Sequence, residues 1–184
     1  HPQSLRQGLR ISISCSGLKD NGGTSTMNYL GLDCSSKAVH GVIVNDLEEI
    51  VSKLKFPSTL KDSFDNRLFQ IFDNFSVYLE NELEYNDIRC AAIEAAIYIQ
   101  NARTTMEISG VVSVAKYMLH TKGILCHPID NRSWKKQILG KGNAGKPDIK
   151  NFAVDKWGDI FPEQDYADAA CIALWAKRKG ENLA

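Results

Sequence analysis

The chain has 184 residues, 43% hydrophobic and 24% charged. That composition excludes a collagen, coiled-coil or disordered chain, and the length suits one domain with its own core. Its 22 basic and 22 acidic residues cancel, but unevenly: Val44 to Glu94 holds 5 basic and 11 acidic residues, and Lys116 to Lys150 holds 8 basic and 2 acidic. A polyanion can be steered by such an asymmetry even at zero total charge.

In chain order, residues 1–26 are rich in Ser, Gly and Thr and lack sustained periodicity, so they are expected to be a disordered extension or tag before a domain spanning 27–184. Tyr29–Cys34, Val39–Asn45 and Glu49–Phe56 read as three strands joined by short polar links, an antiparallel meander with Ile50, Leu54 and Phe56 on one face of the third. Pro57-Ser58-Thr59 offers a helix start. Leu60, Phe64, Leu68, Ile71, Phe72, Phe75 and Leu79 follow at helical spacing. Asp87–Glu94 is a fourth strand. Ile108, Val111, Val112, Ala115 and Leu119 predict a helix ended by Gly123, whose apolar face suits either the core or a dimer contact. Ile124–Ile129 is a fifth strand, and Ser133–Lys179 is helical with a Gly-rich break at Gly140–Gly145. This order predicts an α/β fold: one mixed sheet with helices on both faces.

The longest nearly apolar run, Ala91 to Ile99, has nine residues and includes Glu94. A membrane helix needs roughly 20, so the expectation is a cytoplasmic protein with no membrane partner. The five cysteines are widely spaced without a CxxC pair, which favours small buried hydrophobes over a zinc site or disulfides. The histidines also lack zinc-ligand spacing, and the three tryptophans read as core or interface anchors.

Four carboxylates stand in apolar surroundings: Asp33 ending the first strand, Glu94 ending the fourth, and Asp165 and Asp168 on the last helix, three apart and therefore on one face. Taken singly, each has a plainer reading as a turn residue, an exposed strand residue or a helix-dipole partner. If all four meet, mutual repulsion of about 4 kcal/mol per close pair demands cations. An all-oxygen site favours Mg²⁺ or Mn²⁺ over zinc. Two such ions about 3.5–4 Å apart would clamp the attacking and leaving oxygens of a phosphodiester. Lys135, Lys136, Lys141, Lys146 and Lys150, with Arg132, cluster around Gly140, Gly142 and Gly145. That segment reads either as a phosphate cradle or as a solvated loop.

Four motifs in order, LGLDCSS at Leu30, AIEAAIYIQNART at Ala92, WKKQILGKGNAGK at Trp134 and QDYADAACIALWA at Gln164, resemble the RuvC-type Holliday junction resolvases, especially phage-like members. The resemblance covers Met27 to about Lys179. It implies an RNase H-like fold, a two-metal DNA endonuclease using Mg²⁺ (or Mn²⁺), and a homodimer acting on opposed strands of a four-way junction in a bacterial or phage-infected cell. By position, Asp33, Glu94, Asp165 and Asp168 would be the metal-binding catalytic acids. Lys136 and Lys146 fall on basic positions that the family places near DNA. Where family members often carry a stacking aromatic this chain has Ile97, and Tyr98 is the candidate replacement. Related readings are an RNase H-like nuclease acting on flaps or RNA–DNA hybrids, and a catalytically idle junction-binding module.

Overall fold

The structure is a computed structural model that describes residues 27–59, 61, 63–81, 87–95 and 101–181. The expected N-terminal extension 1–26, the helical position Leu60, and Ile97 and Tyr98 lie outside the described residues.

Strands β1 (Asn28–Cys34), β2 (Ala38–Asn45), β3 (Ile50–Pro57), β4 (Ile88–Glu94) and β5 (Leu125–Ile129) form one sheet in the order β3-β2-β1-β4-β5. The β3-β2-β1 pairs are antiparallel, and β4 and β5 add on in parallel. Helices α1 (Phe64–Asn81) and α2 (Ala102–Thr121) cover one face. The other carries α3 (Asn131–Leu139), α4 (Lys146–Trp157) and α5 (Gln164–Glu181). This is the mixed sheet with helices on both faces expected from the element order, and the five-stranded RNase H-like architecture that the resemblance implies.

Successive strand residues face opposite sides, and the core divides accordingly. Leu30, Leu32, Val39, Ile43, Ala91 and Ile93 pack toward α1 and α2. Tyr29, Val42, Val44, Cys90 and Ala92 pack toward α3, α4 and α5. The same alternation puts Asp33 and Glu94, at the ends of adjacent parallel strands, on the α5 side. Helix α5 is buried almost all round from Tyr166 to Ala176, with the sheet on one side and α3 and α4 on the other. A helix apolar on every side belongs in such an interior.

Three local expectations are corrected. Ser133–Lys179 breaks twice, not once: besides the Gly-rich segment, residues 158–163 separate α4 from α5. The first helix does not start at Pro57-Ser58-Thr59. There β3 runs through Pro57, and Ser58 Oγ and the Thr59 N–H both donate to Gln70 Oε1 at 2.9 Å. Ser63 caps α1 instead, its Oγ accepting from the Asn66 N–H at 3.3 Å. Nor does Ile50 share a face with Leu54 and Phe56. The ladder steps from Ile43↔Ser52 to Val44↔Ile50, leaving Val51 as an extra residue. That bulge reverses the facing, so Ile50 packs on the α5 side and Leu54 and Phe56 on the α1 side. The apolar stripe of α2, Val111, Val112, Ala115 and Leu119, is buried in the chain's own core. No helix among the described residues is long and apolar enough to cross a membrane.

Candidate metal centre

The close seating of α5 on β1 assembles the centre. A Cβ on Gly31 would stand 2.1 Å from the Ala169 carbonyl oxygen and 2.3 Å from the Ala173 nitrogen. Only glycine at this position, facing the small residues of α5, lets the two backbones approach so far. One residue pair further along β1 is Asp33, and one turn back along α5 are Asp168 and Asp165. Carboxylate oxygens of Asp33, Asp165 and Asp168 all lie within 4.8 Å of one another, a group able to hold a metal ion.

Glu94 joins from β4, held from α3. Asn131 Nδ2 donates to Oε1 and Oε2 of Glu94 at 2.9 and 3.0 Å, and Trp134 Nε1 donates to Oε2 at 2.8 Å. Trp134 is fully buried, and its neighbour's ammonium, Lys135 Nζ, sits over the indole ring at 5.5 Å. Helix α3 starts close to the site because Asp130 caps it, accepting from the Ser133 N–H at 2.9 Å. Sequence reasoning missed Asn131 and the use of the Trp134 N–H. Both act on a residue far away in the chain, where periodicity carries no signal.

The electrostatics express crowded anions. Burial raises Asp33 well above the ordinary aspartate value, and the charges of Asp168, Glu94 and Asp165 raise it further, with Lys146 offsetting in part. Asp168 is lifted from 3.8 to about 6, first by burial and then by Glu94 and Asp165, against a hydrogen bond from Gln164 and the charge of Lys135. Such a set is relieved by a cation, and its all-oxygen donors suit a hard divalent ion. Among the described residues the thiols offer no rival chemistry: Cys34, Cys90, Cys126 and Cys171 form no disulfide, and burial above all pushes Cys126 up to about 12.

Two solved structures share this arrangement of elements. T. thermophilus RuvC in complex with Holliday junction substrate matches with a TM-score of 0.69 at 14% identity, over 84% of this chain and 97% of that one. A second Thermus thermophilus RuvC structure matches at 0.67 and 12%, over 85% and 96%. This chain has the RuvC fold. Neither a protein-family model nor a curated protein matches the sequence.

On this RuvC fold the basic residues lie at different distances from the acids. Lys146, at the start of α4, is near enough to act on Asp33, and Lys135 on Asp168. Lys136 is exposed on α3, and its carbonyl accepts from Gly140, the left-handed cap of that helix at φ 81°. Lys141 pairs with Asp148 at 2.8 Å, and the other Asp148 oxygen accepts from the Gly145 N–H at 2.9 Å. The Gly-rich segment is thus pinned at the entrance to α4.

Proposed function

We propose that this chain is a metal-dependent DNA endonuclease that resolves four-way junctions or related branched DNA. The observation that carries the reading is the convergence of Asp33, Asp165 and Asp168, with Glu94 clamped beside them, at the strand ends of a RuvC fold. One of the matched RuvC proteins was solved with a Holliday junction.

In this reading Asp33, Glu94, Asp165 and Asp168 hold two Mg²⁺ ions, with Mn²⁺ as a substitute. When bound, the ions supply an activated water and neutralise charge on the leaving 3′ oxygen. The chain's own residues position and balance. Asn131 and Trp134 fix the Glu94 carboxylate, as outer-shell donors commonly do around a metal. Lys146 and Lys135 set positive charge beside the acids, where a phosphate would approach. Lys136, Lys141 and Tyr98 extend the DNA contact, and a homodimer brings two centres to opposed strands.

The test is cleavage of a synthetic four-way junction, a flap, a linear duplex and an RNA–DNA hybrid, with Mg²⁺ or EDTA, alongside light scattering for the dimer. Paired nicks in the junction, abolished by EDTA, are expected. Cleavage of the hybrid or flap with the junction intact would replace the substrate. Binding of the junction without cleavage at saturating Mg²⁺ would leave a binding module.

A further inference from the structure

The β2 flank of the acid cluster carries a histidine to which the cleavage reaction gives no task. His40 lies opposite Asp33 in the β1–β2 ladder and is 4% exposed. It stands edge-on to Tyr166, with ring centroids 5.0 Å apart. Its Nδ1 is 3.6 Å from Oδ2 of Asp165, and its Nε2 is 3.3 Å from Oε2 of Glu163. Nε2 is nevertheless buried without a well-formed hydrogen bond. Buried polar atoms ordinarily have a partner. One ligand atom each from His40, Glu163 and Asp165 lies within 4.8 Å of the others, close enough for one ion to touch all three.

We infer that His40, Glu163 and Asp165 form a binding site for a divalent transition-metal ion, Mn²⁺ in type, that shares Asp165 with the acid cluster. The donor set distinguishes it from that cluster. An imidazole nitrogen suits first-row transition metals, whereas Mg²⁺ favours oxygen alone. Access is through Glu163, whose side chain is 44% exposed just before α5. Lys55 is the competitor. Its ammonium holds the two Glu163 oxygens at 2.6 and 2.7 Å, so an ion must draw at least one oxygen from it. Lys55 thereby weakens the site and reserves it for an ion that can use the imidazole.

The test is Mn²⁺ binding to the full chain without DNA, read by pulsed electron paramagnetic resonance for coupling to a histidine ¹⁴N nucleus and by titration for affinity. The wild type is expected to show nitrogen coupling that His40→Gln lacks, although the three other histidines remain. Glu163→Gln should weaken this Mn²⁺ about tenfold or more. Lys55→Met should tighten it. Mg²⁺ affinity should change far less in all three. Absence of nitrogen coupling in the wild type, its persistence in His40→Gln, or wild-type Mn²⁺ affinity in Glu163→Gln would overturn the site. If His40→Gln does not fold, the other two variants, at surface positions, still decide through their opposite signs. The outcome is separable from the nuclease reading. Mg²⁺-supported junction cleavage without nitrogen coupling sinks this site alone, and nitrogen coupling without cleavage sinks only the nuclease.

Discussion

Asp168 ties stability to acidity at the level of a single residue. Its folded value of about 6 stands above the ordinary 3.8, so between those values the folded chain binds more protons than the unfolded one, and this group's contribution falls as pH rises. Above pH 6 the ionised Asp168 destabilises the metal-free fold by at most about 3 kcal/mol, at 1.36 kcal/mol per unit. Asp168→Asn should therefore be more stable than wild type in EDTA at pH 7, and the gap should narrow toward pH 4.5. Denaturant unfolding at the two pH values checks this; an unchanged gap would refute the raised value of Asp168. Comparing the two proteins also cancels His40 and His127, whose values are lowered by burial and whose contributions have the opposite sign. Asp33→Asn should abolish cleavage while the fold persists, since it keeps the shape and removes the charge. Asn131→Ala removes the two-pronged contact to Glu94 and should lower cleavage roughly 10–100-fold, with a small change in melting temperature; single-turnover rates at saturating Mg²⁺ measure it. Asp33, Glu94, Asp165 and Asp168 stood out in the sequence as charges among apolar neighbours, and the resemblance of their motifs to the RuvC-type resolvases set them together. Asn131, Trp134 and His40 were not, because each matters only through partners 37 or more residues away or on a neighbouring strand.

Among elements, the contact between β1 and α5 decides the geometry. Gly31→Ala would drive a methyl into backbone atoms of α5, which cannot rotate aside as a side chain would. Overpacking usually costs about 1–3 kcal/mol and sometimes more. The upper end is expected here, together with loss of divalent-ion binding as Asp165 and Asp168 move away from Asp33. Calorimetric Mg²⁺ titration beside denaturant unfolding separates the two effects. A normal ion affinity in this variant would show that the close approach is not what brings the acids together. Helices were legible from the 3.6 period, whereas the central strands, buried on both faces, were legible as short apolar runs bounded by polar links. Boundaries were less legible. Ser63 caps α1 while Gln70 holds Ser58 and Thr59, and the Val51 bulge inverts Ile50 without any glycine or proline to announce it.

For the molecule as a whole, the uneven charge acquires a location. The basic segment of α3, the Gly-rich connection and the start of α4 borders an acid cluster drawn from β1, β4 and α5. Lys146→Ala should weaken junction binding and flatten the dependence of log affinity on log salt by about 0.9 for each phosphate that a subunit no longer neutralises. Asp168→Asn should bind as well or better and yet not cut. Affinity across a salt series, with single-turnover cleavage beside it, tests the pair; equal salt slopes for Lys146→Ala and wild type would remove Lys146 from the DNA surface. The centre also has a history in time. Its acids enter the chain at positions 33, 94, 165 and 168, and the helix carrying the last two is the one that fills the space between the sheet and α3 and α4. A nascent chain that stops before α5 has neither a sealed core nor a complete set of ligands. Interrupted synthesis therefore yields fragments whose sheet is bare on one face and whose acid cluster lacks Asp165 and Asp168.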